Sequence, residues 1–178
     1  MITILGREIP HTLDELTIEQ FEIITEISNN KDIDNIDRHL QIFVSLGIPE
    51  SEFYDYDVAD FIEIVKAFNE QPKSEYPVVE TIELDGFTYT AQLKLTVRDT
   101  KLIETIAINK PKGYISSILA IMFKADHLTV TEHYADAHLK LKAKHICKLK
   151  ACIAIPYLMF IGNKIKKQVE DVPTEAVE

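Results

Sequence analysis

The sequence predicts a mostly helical α+β fold of two pseudo-repeated units, each a short β-hairpin followed by about three helices. Two β-like segments carry a glycine near their end, Ile2-Thr3-Ile4-Leu5-Gly6 and Ile82-Glu83-Leu84-Asp85-Gly86. Each precedes a near-copy of the same stretch, Leu16-Thr17-Ile18-Glu19-Gln20 and, 79 residues later, Leu95-Thr96-Val97-Arg98-Asp99. Elsewhere apolar residues recur at three- and four-residue spacing, the period of amphipathic helices. The 46% hydrophobic and 27% charged composition is that of a globular chain.

Ile2 to Ile9 reads as a strand pair or one bent strand, with Leu5-Gly6 a poor two-residue turn and Pro10 the end. Thr17 offers a helix N-cap and Gln20, three residues on, can return a bond to the backbone. Ile18, Phe21, Ile24 and Ile27 form the inner stripe of that helix, with Glu19, Glu22 and Glu26 away from it. A second helix spans about 34–46, with Ile36, Leu40, Phe43 and Val44 inward and Gly47 supplying the stop. After a short turn of helix within 50–56, Asp57 caps a third, which carries Phe61, Ile64, Val65 and Phe68 inward.

The second unit opens on an Asp85-Gly86 turn, which pairs Leu84 with Phe87 and Ile82 with Tyr89. Thr96 caps the next helix with Asp99 in the place of Gln20, and Leu102, Ile103 and Ile106 face inward. Past a break at 110–113, Ile115, Ile118, Leu119, Met122 and Phe123 make another helical core face. A loop around 126–131 leads to a helix over 133–150, and a last helix runs from Ala151 to about Lys167 with Pro156 near its start or at a kink. The units fall at 1–70 and 78–168, joined by a linker at 71–77 and followed by a frayed tail at 169–178.

Residues 16–45 laid without a gap on 95–124 match at nine of 30 positions, where unrelated sequences of this kind give roughly two. The Asn30-Lys31 and Asn109-Lys110 match lies outside what shared helical periodicity explains. The charge is divided unevenly. Residues 1–80 hold 18 acids and 5 Lys or Arg, a net −13, and the remainder holds 11 and 14, a net +3. Such a split can draw one half of the chain to the other, to a second copy or to a charged partner. Lys140, Lys142, Lys144, Lys148 and Lys150 are the candidate partner-binding residues, spread around a helix by their alternation. That spread and the net charge of −10 argue against direct nucleic-acid binding and favour an acidic protein surface, the first unit of a second copy (self-association) among them.

His138, His145 and Cys152 recur every seven residues, but about 10 Å of helical rise between members is too far for one zinc ion. His11, His39 and His127 have no evident local partners. No nucleophile with a base, paired acids in an apolar setting or glycine-rich phosphate loop is legible, so no catalytic, cofactor or metal residue is assigned. Cys147 and Cys152, five apart, are poorly placed for a disulfide, and with no secretory signal at Met1–Arg7 the expected compartment is cytosolic. The apolar run from Ala151 to Ile161 is shorter than the roughly 20 residues of a membrane span and reads as a core helix or an assembly surface.

Leu16-Thr17-Ile18-Glu19-Gln20-Phe21, the helix end Phe43-Val44-Ser45-Leu46-Gly47-Ile48-Pro49 and Ile118-Leu119-Ala120-Ile121-Met122-Phe123 resemble a group of small tailed-bacteriophage proteins. These are the tail assembly chaperones or virion morphogenesis proteins. There a Leu-Thr-Val-Gly-Gln-Phe-like segment opens the helical part and Leu-Gly-Ile-Pro-Glu closes the second helix, as Leu46 to Glu50 does here; the likeness departs at Arg98-Asp99. The resemblance implies a non-enzymatic assembly factor that binds phage structural or assembly proteins in the host cytoplasm, without cofactor or membrane. A structural component of the virion neck or tail, and an enzyme whose groups converge from distant positions, are the alternatives.

Overall fold

Leu5 and Gly6 both take left-handed backbone (φ 49° and 74°), which closes a two-residue hairpin between β1 (Ile2–Ile4) and β2 (Arg7–Ile9). Leu5-Gly6 is therefore the turn that its composition argued against: glycine reaches this region without strain, and Ile4 and Ile9, buried on either side, hold Leu5 there. The computed structural model describes residues 1–70, 75–92, 94–125 and 127–170. Most of the expected linker (71–74) and of the expected tail (171–178) lies outside the described residues.

Helices α1 (Ile18–Asn29), α2 (Asn35–Ser45) and α3 (Val58–Asn69) follow, with a 3₁₀ turn at Glu50–Phe53. Thr17, Asp34 and Asp57 cap them through side-chain oxygens that accept backbone N–H bonds. The hairpin, α2 and α3 enclose a small core around Phe43, whose ring centroid lies 5.3 Å from Phe53, 6.1 Å from Phe61 and 5.3 Å from Phe68. Ile36 and Val44, expected inward, are 42% and 45% exposed. Ile42 takes the inward position beside Phe43 and rotates Val44 out, while Ile36 lies about 10 Å up the helix from Phe43, past the edge of this core. Gly47 (φ 96°) ends the helix after Leu46, as expected.

In the second half, β3 (Thr81–Leu84) and β4 (Phe87–Ala91) pair in the expected register around Asp85-Gly86, both left-handed at φ 52° and 79°. Helix α4 (Val97–Asn109) starts at Thr96 with the expected capping box to Asp99. Helix α5 (Tyr114–Met122) gives way to β5 (Phe123–Lys124), which adds to the far side of β4; Phe123, expected on the helix, is its extended C-cap. The helix expected over 133–150 is two helices, α6 (Val130–His133) and α7 (Asp136–Ile146). A capping box between Thr129 and Glu132 starts α6 earlier than periodicity indicated. Helix α8 (Ala151–Glu170) contains Pro156, whose missing N–H removes one rung. Its first half buries Ala151, Ile155 and Tyr157, whereas Met159 and Phe160 are exposed. Among the described residues no helix is long and apolar enough to cross a membrane.

The start of α1 is held by the other end of the chain. Leu16 and Ile18 are buried in the larger core with Ile82, Leu119, Phe123, Ile146 and Tyr157. Ile18 N donates to Leu149 O and Ala151 N to Leu16 O, both at 2.9 Å, and Cys152 N reaches Leu13 O at 2.9 Å. Ile24 of α1 and Leu46 at the end of α2 touch both cores and join them.

Both threonine caps are matched by a returning side chain: Gln20 Oε1 accepts from Thr17 N at 3.0 Å, and Asp99 Oδ2 from Thr96 N at 2.8 Å. Thr17→Ala is expected to cost about 1 kcal/mol in urea unfolding, and Thr96→Ala at least as much. A negligible loss at both positions would overturn the capping assignment.

Candidate functional site

Asp99 is more than a cap. It is fully buried, and its Oδ2 accepts from Thr96 N, Thr96 Oγ1 (2.7 Å) and Lys124 Nζ (3.0 Å), while Oδ1 accepts from the Tyr134 hydroxyl. Lys124 also donates to Tyr134 Oη at 2.9 Å, and the Arg98 guanidinium lies 4.2 Å from the centre of the Tyr134 ring. Three segments, the cap of α4, β5 and the turn after α6, meet on one carboxylate. Burial raises the Asp99 pKa, but the bonds from Tyr134, Thr96 and Lys124 outweigh it and hold the carboxyl below its ordinary value. Burial lowers the Lys124 pKa, and its bonds to Tyr134 and Asp99 more than restore it.

A second buried pair stands behind the first. His133 Nε2 lies 3.2 Å from Ile121 O, which requires its proton on that nitrogen and leaves Nδ1 as an acceptor. Lys142 Nζ donates to Phe123 O at 2.7 Å and lies 3.4 Å from His133 Nδ1 and 5.2 Å from the centre of the Tyr89 ring. Burial, then the charges of Lys142 and Lys124, push His133 down to about 4. Burial and the charge of Lys124 push Lys142 down to about 7. A cleft of ≈ 370 Å³ opens onto this region, lined by Gln92, Arg98, Lys124, Leu128, Val130 and Tyr134.

Lys142 therefore leaves the set of candidate partner-binding lysines: it is 2% exposed and secures the carbonyl of Phe123 on β5. The alternation does not spread these lysines over one open surface, because at 100° per residue Lys142 falls on the side opposite Lys140 and Lys144, in line with buried Ile146 and against α5 and β3. Lys140 and Lys144 share an exposed edge, Lys140 pairing with Asp136 at 2.7 Å, and Lys148 is exposed beyond the helix end. Lys150 donates to Glu15 O at 2.6 Å.

Across a groove of ≈ 280 Å³ from Lys140, Lys144 and Lys112 stand Glu19, Glu22 and Glu26 of α1. Glu22, expected on the outer side, is 7% exposed because Oε1 accepts from Ser116 N at 2.8 Å and caps α5, whose N-cap Gly113 has no side chain. Burial raises the Glu22 pKa despite bonds from Ser116 and Ile115. Of the histidines expected to lack local partners, two have them, His11 Nδ1 at 3.0 Å from Glu15 Oε2 and His39 Nδ1 at 2.7 Å from Asn35 O, whereas His127 stacks on the sequence-distant Phe87 at 4.9 Å. His145 pairs with Asp85 across the hairpin turn, and Cys147 and Cys152 are free thiols. Among the described residues no three His, Cys, Asp or Glu side chains come together as a metal-holding group.

The first half presents a different face. Tyr54, Tyr56, Val58 and Ile62 are 71%, 43%, 58% and 43% exposed, with Val58 and Ile62 one turn apart on α3. Between Glu50 and Glu63 the chain holds six acids and no lysine or arginine. Glu52 is engaged by Arg7 at 2.7 Å and Glu63 by Lys66 at 2.6 Å, while Asp55 and Asp57 are exposed next to Tyr54, Tyr56 and Val58 in the chain. No family model matches the chain, and no curated protein or solved structure matches it.

Proposed function

We propose that the protein is a non-enzymatic assembly factor of a tailed bacteriophage that binds phage structural or assembly proteins in the host cytoplasm during virion construction. The observation that carries this reading is the acidic, aromatic-rich face of Tyr54, Tyr56, Val58 and Ile62, whose exposed apolar groups have acids at their border. Exposed apolar groups beside acids that outnumber the bases suit a protein partner of opposite charge. The resemblance of Leu16–Phe21 and Phe43–Pro49 to tail assembly chaperones supplies the phage setting.

An enzyme would be favoured by the buried groups beside the ≈ 370 Å³ cleft. The hydrogen bonding argues otherwise. Asp99 accepts four hydrogen bonds from its own chain, three on Oδ2 and one on Oδ1, and both nitrogens of His133 are engaged, so these groups already serve to hold their own chain. Polar groups saturated by one another fasten α4, β5, α6 and α7 together.

Mass spectrometry of purified virions and of unassembled tail components tests the proposal. The protein is expected on the unassembled components and absent from finished particles. A fixed stoichiometric level in the particle would replace this reading with that of a neck or tail component.

A further inference from the structure

We infer that the protein associates head to tail with further copies of itself, the lysine edge of α7 in one copy docking on the acidic aromatic face of the next. On α7, Lys140, Lys144, Ala137 and Leu141 fall within an arc of about 100°, with Lys142 on the opposite side. All four are exposed, Leu141 by 54%, and Lys148 extends the basic edge beyond the helix end. The other face repeats this design with the opposite charge: Tyr54, Tyr56, Val58 and Ile62 supply apolar surface, and Asp55, Asp57 and Glu63 supply acids, Glu63 pairing with Lys66 as Lys140 pairs with Asp136.

Each face thus offers a few apolar groups and a charged border that matches the other in kind and opposes it in sign. The two belong to different cores, since α3, which carries Val58 and Ile62, sends Phe61 and Phe68 into the Phe43 cluster, and α7 closes the core around Ile146. One molecule can therefore present both at once. An interface between two unlike faces is heterologous, so it grows into rings or open chains rather than closing as a symmetric dimer. The lysines facing Glu19, Glu22 and Glu26 across the α1 groove take part without breaking a contact there, because the only ion pair of Lys140 among the described residues is with Asp136.

The inference uses the face on which the assembly reading rests but not the phage partner, so the purified protein alone tests it. In sedimentation velocity the average mass is expected to rise with concentration up to about 1 mM and to fall as salt screens the interface. Lys140→Glu with Lys144→Glu, and separately Asp55→Lys with Glu63→Lys, should each weaken association about tenfold or more. An equimolar mixture of the two variants should associate again, because each supplies a face complementary to one on the other. These positions are exposed, and circular dichroism checks that both variants remain folded. A wild type that stays monomeric throughout, or variants that associate as the wild type does, would overturn the inference and leave phage-partner binding to be judged from the virion experiment.

Discussion

Asp99→Ala is expected to destabilise the protein by about 3–5 kcal/mol in urea unfolding at pH 7, the range for removing one partner from a buried charged pair. The substitution leaves the Tyr134 hydroxyl without its acceptor, the Lys124 ammonium without a counter-charge at 21% side-chain exposure, and the Thr96 N–H uncapped. Asp99→Asn keeps an acceptor but not the charge and should fall between. A pH series adds an independent readout. The folded-state pKa of Asp99 lies below its ordinary 3.8, so its stabilisation is complete above that value and is lost as pH falls through the folded one. The gap between wild type and Asp99→Ala should therefore hold from pH 7 to about 5 and narrow below about 4. A loss under about 1 kcal/mol at pH 7 would reduce Asp99 to an ordinary cap.

Lys142 sets the second large effect, with the same sign in pH but in an alkaline window. Its folded-state pKa of about 7 lies below the ordinary 10.5, so between those values the unfolded chain binds more protons and stability rises with pH. The limiting slope is about 1.4 kcal/mol per pH unit. Below about 7 the folded state must also hold the charge, and the penalty is complete. Lys142→Met should remove this slope. It also leaves Phe123 O without its donor, a cost that does not vary with pH, so the test is the difference in slope between variant and wild type rather than either stability alone. That comparison cancels Cys147 and Cys152, whose thiols burial raises and which lower stability in alkali in both proteins. The charges around Lys142 come from Lys124 on β5, His133 on α6 and His138 on α7 itself. Removing the ammonium relieves His133, whose value of about 4 it helps to depress, so the variant should also resist acid better between about pH 6 and 4. Parallel curves for the two proteins from pH 7 to 10 would contradict a buried, titrating Lys142.

Features decided by neighbours in sequence were legible: the Thr17 and Thr96 boxes, the Asp57 cap, the Asp85-Gly86 turn and the Gly47 stop each depend on residues within four positions. The α+β class followed from them. What was not legible depends on contacts across the chain. Glu22 carries every local mark of a solvent-facing glutamate, yet its partner Ser116 lies 94 residues away. Lys142 is indistinguishable in sequence from Lys140 and Lys144 until α7 is placed against α5 and β3. Phe123 continues an apolar helical pattern, and only its pairing with Ala91 makes it a strand. The Thr129–Glu132 box was within reach, since Thr-Val-Thr-Glu holds a threonine and a glutamate at capping spacing, and it was masked by reading the segment as a loop.

The cross-chain bonds at the start of α1 impose an order on biosynthesis. Glu15, Leu16 and Ile18 leave the ribosome long before Leu149, Lys150 and Ala151, the residues that hold them, and Lys150 lies 135 positions after Glu15. At about 5–20 residues per second that separation is a wait on the order of ten seconds. Through it Leu16 and Ile18 have no core to enter, while the Phe43 cluster, built from residues before 70, has every ring it needs. The nascent chain thus acquires its small core early and keeps the entry to its first helix apolar and uncovered until the last helix begins to emerge.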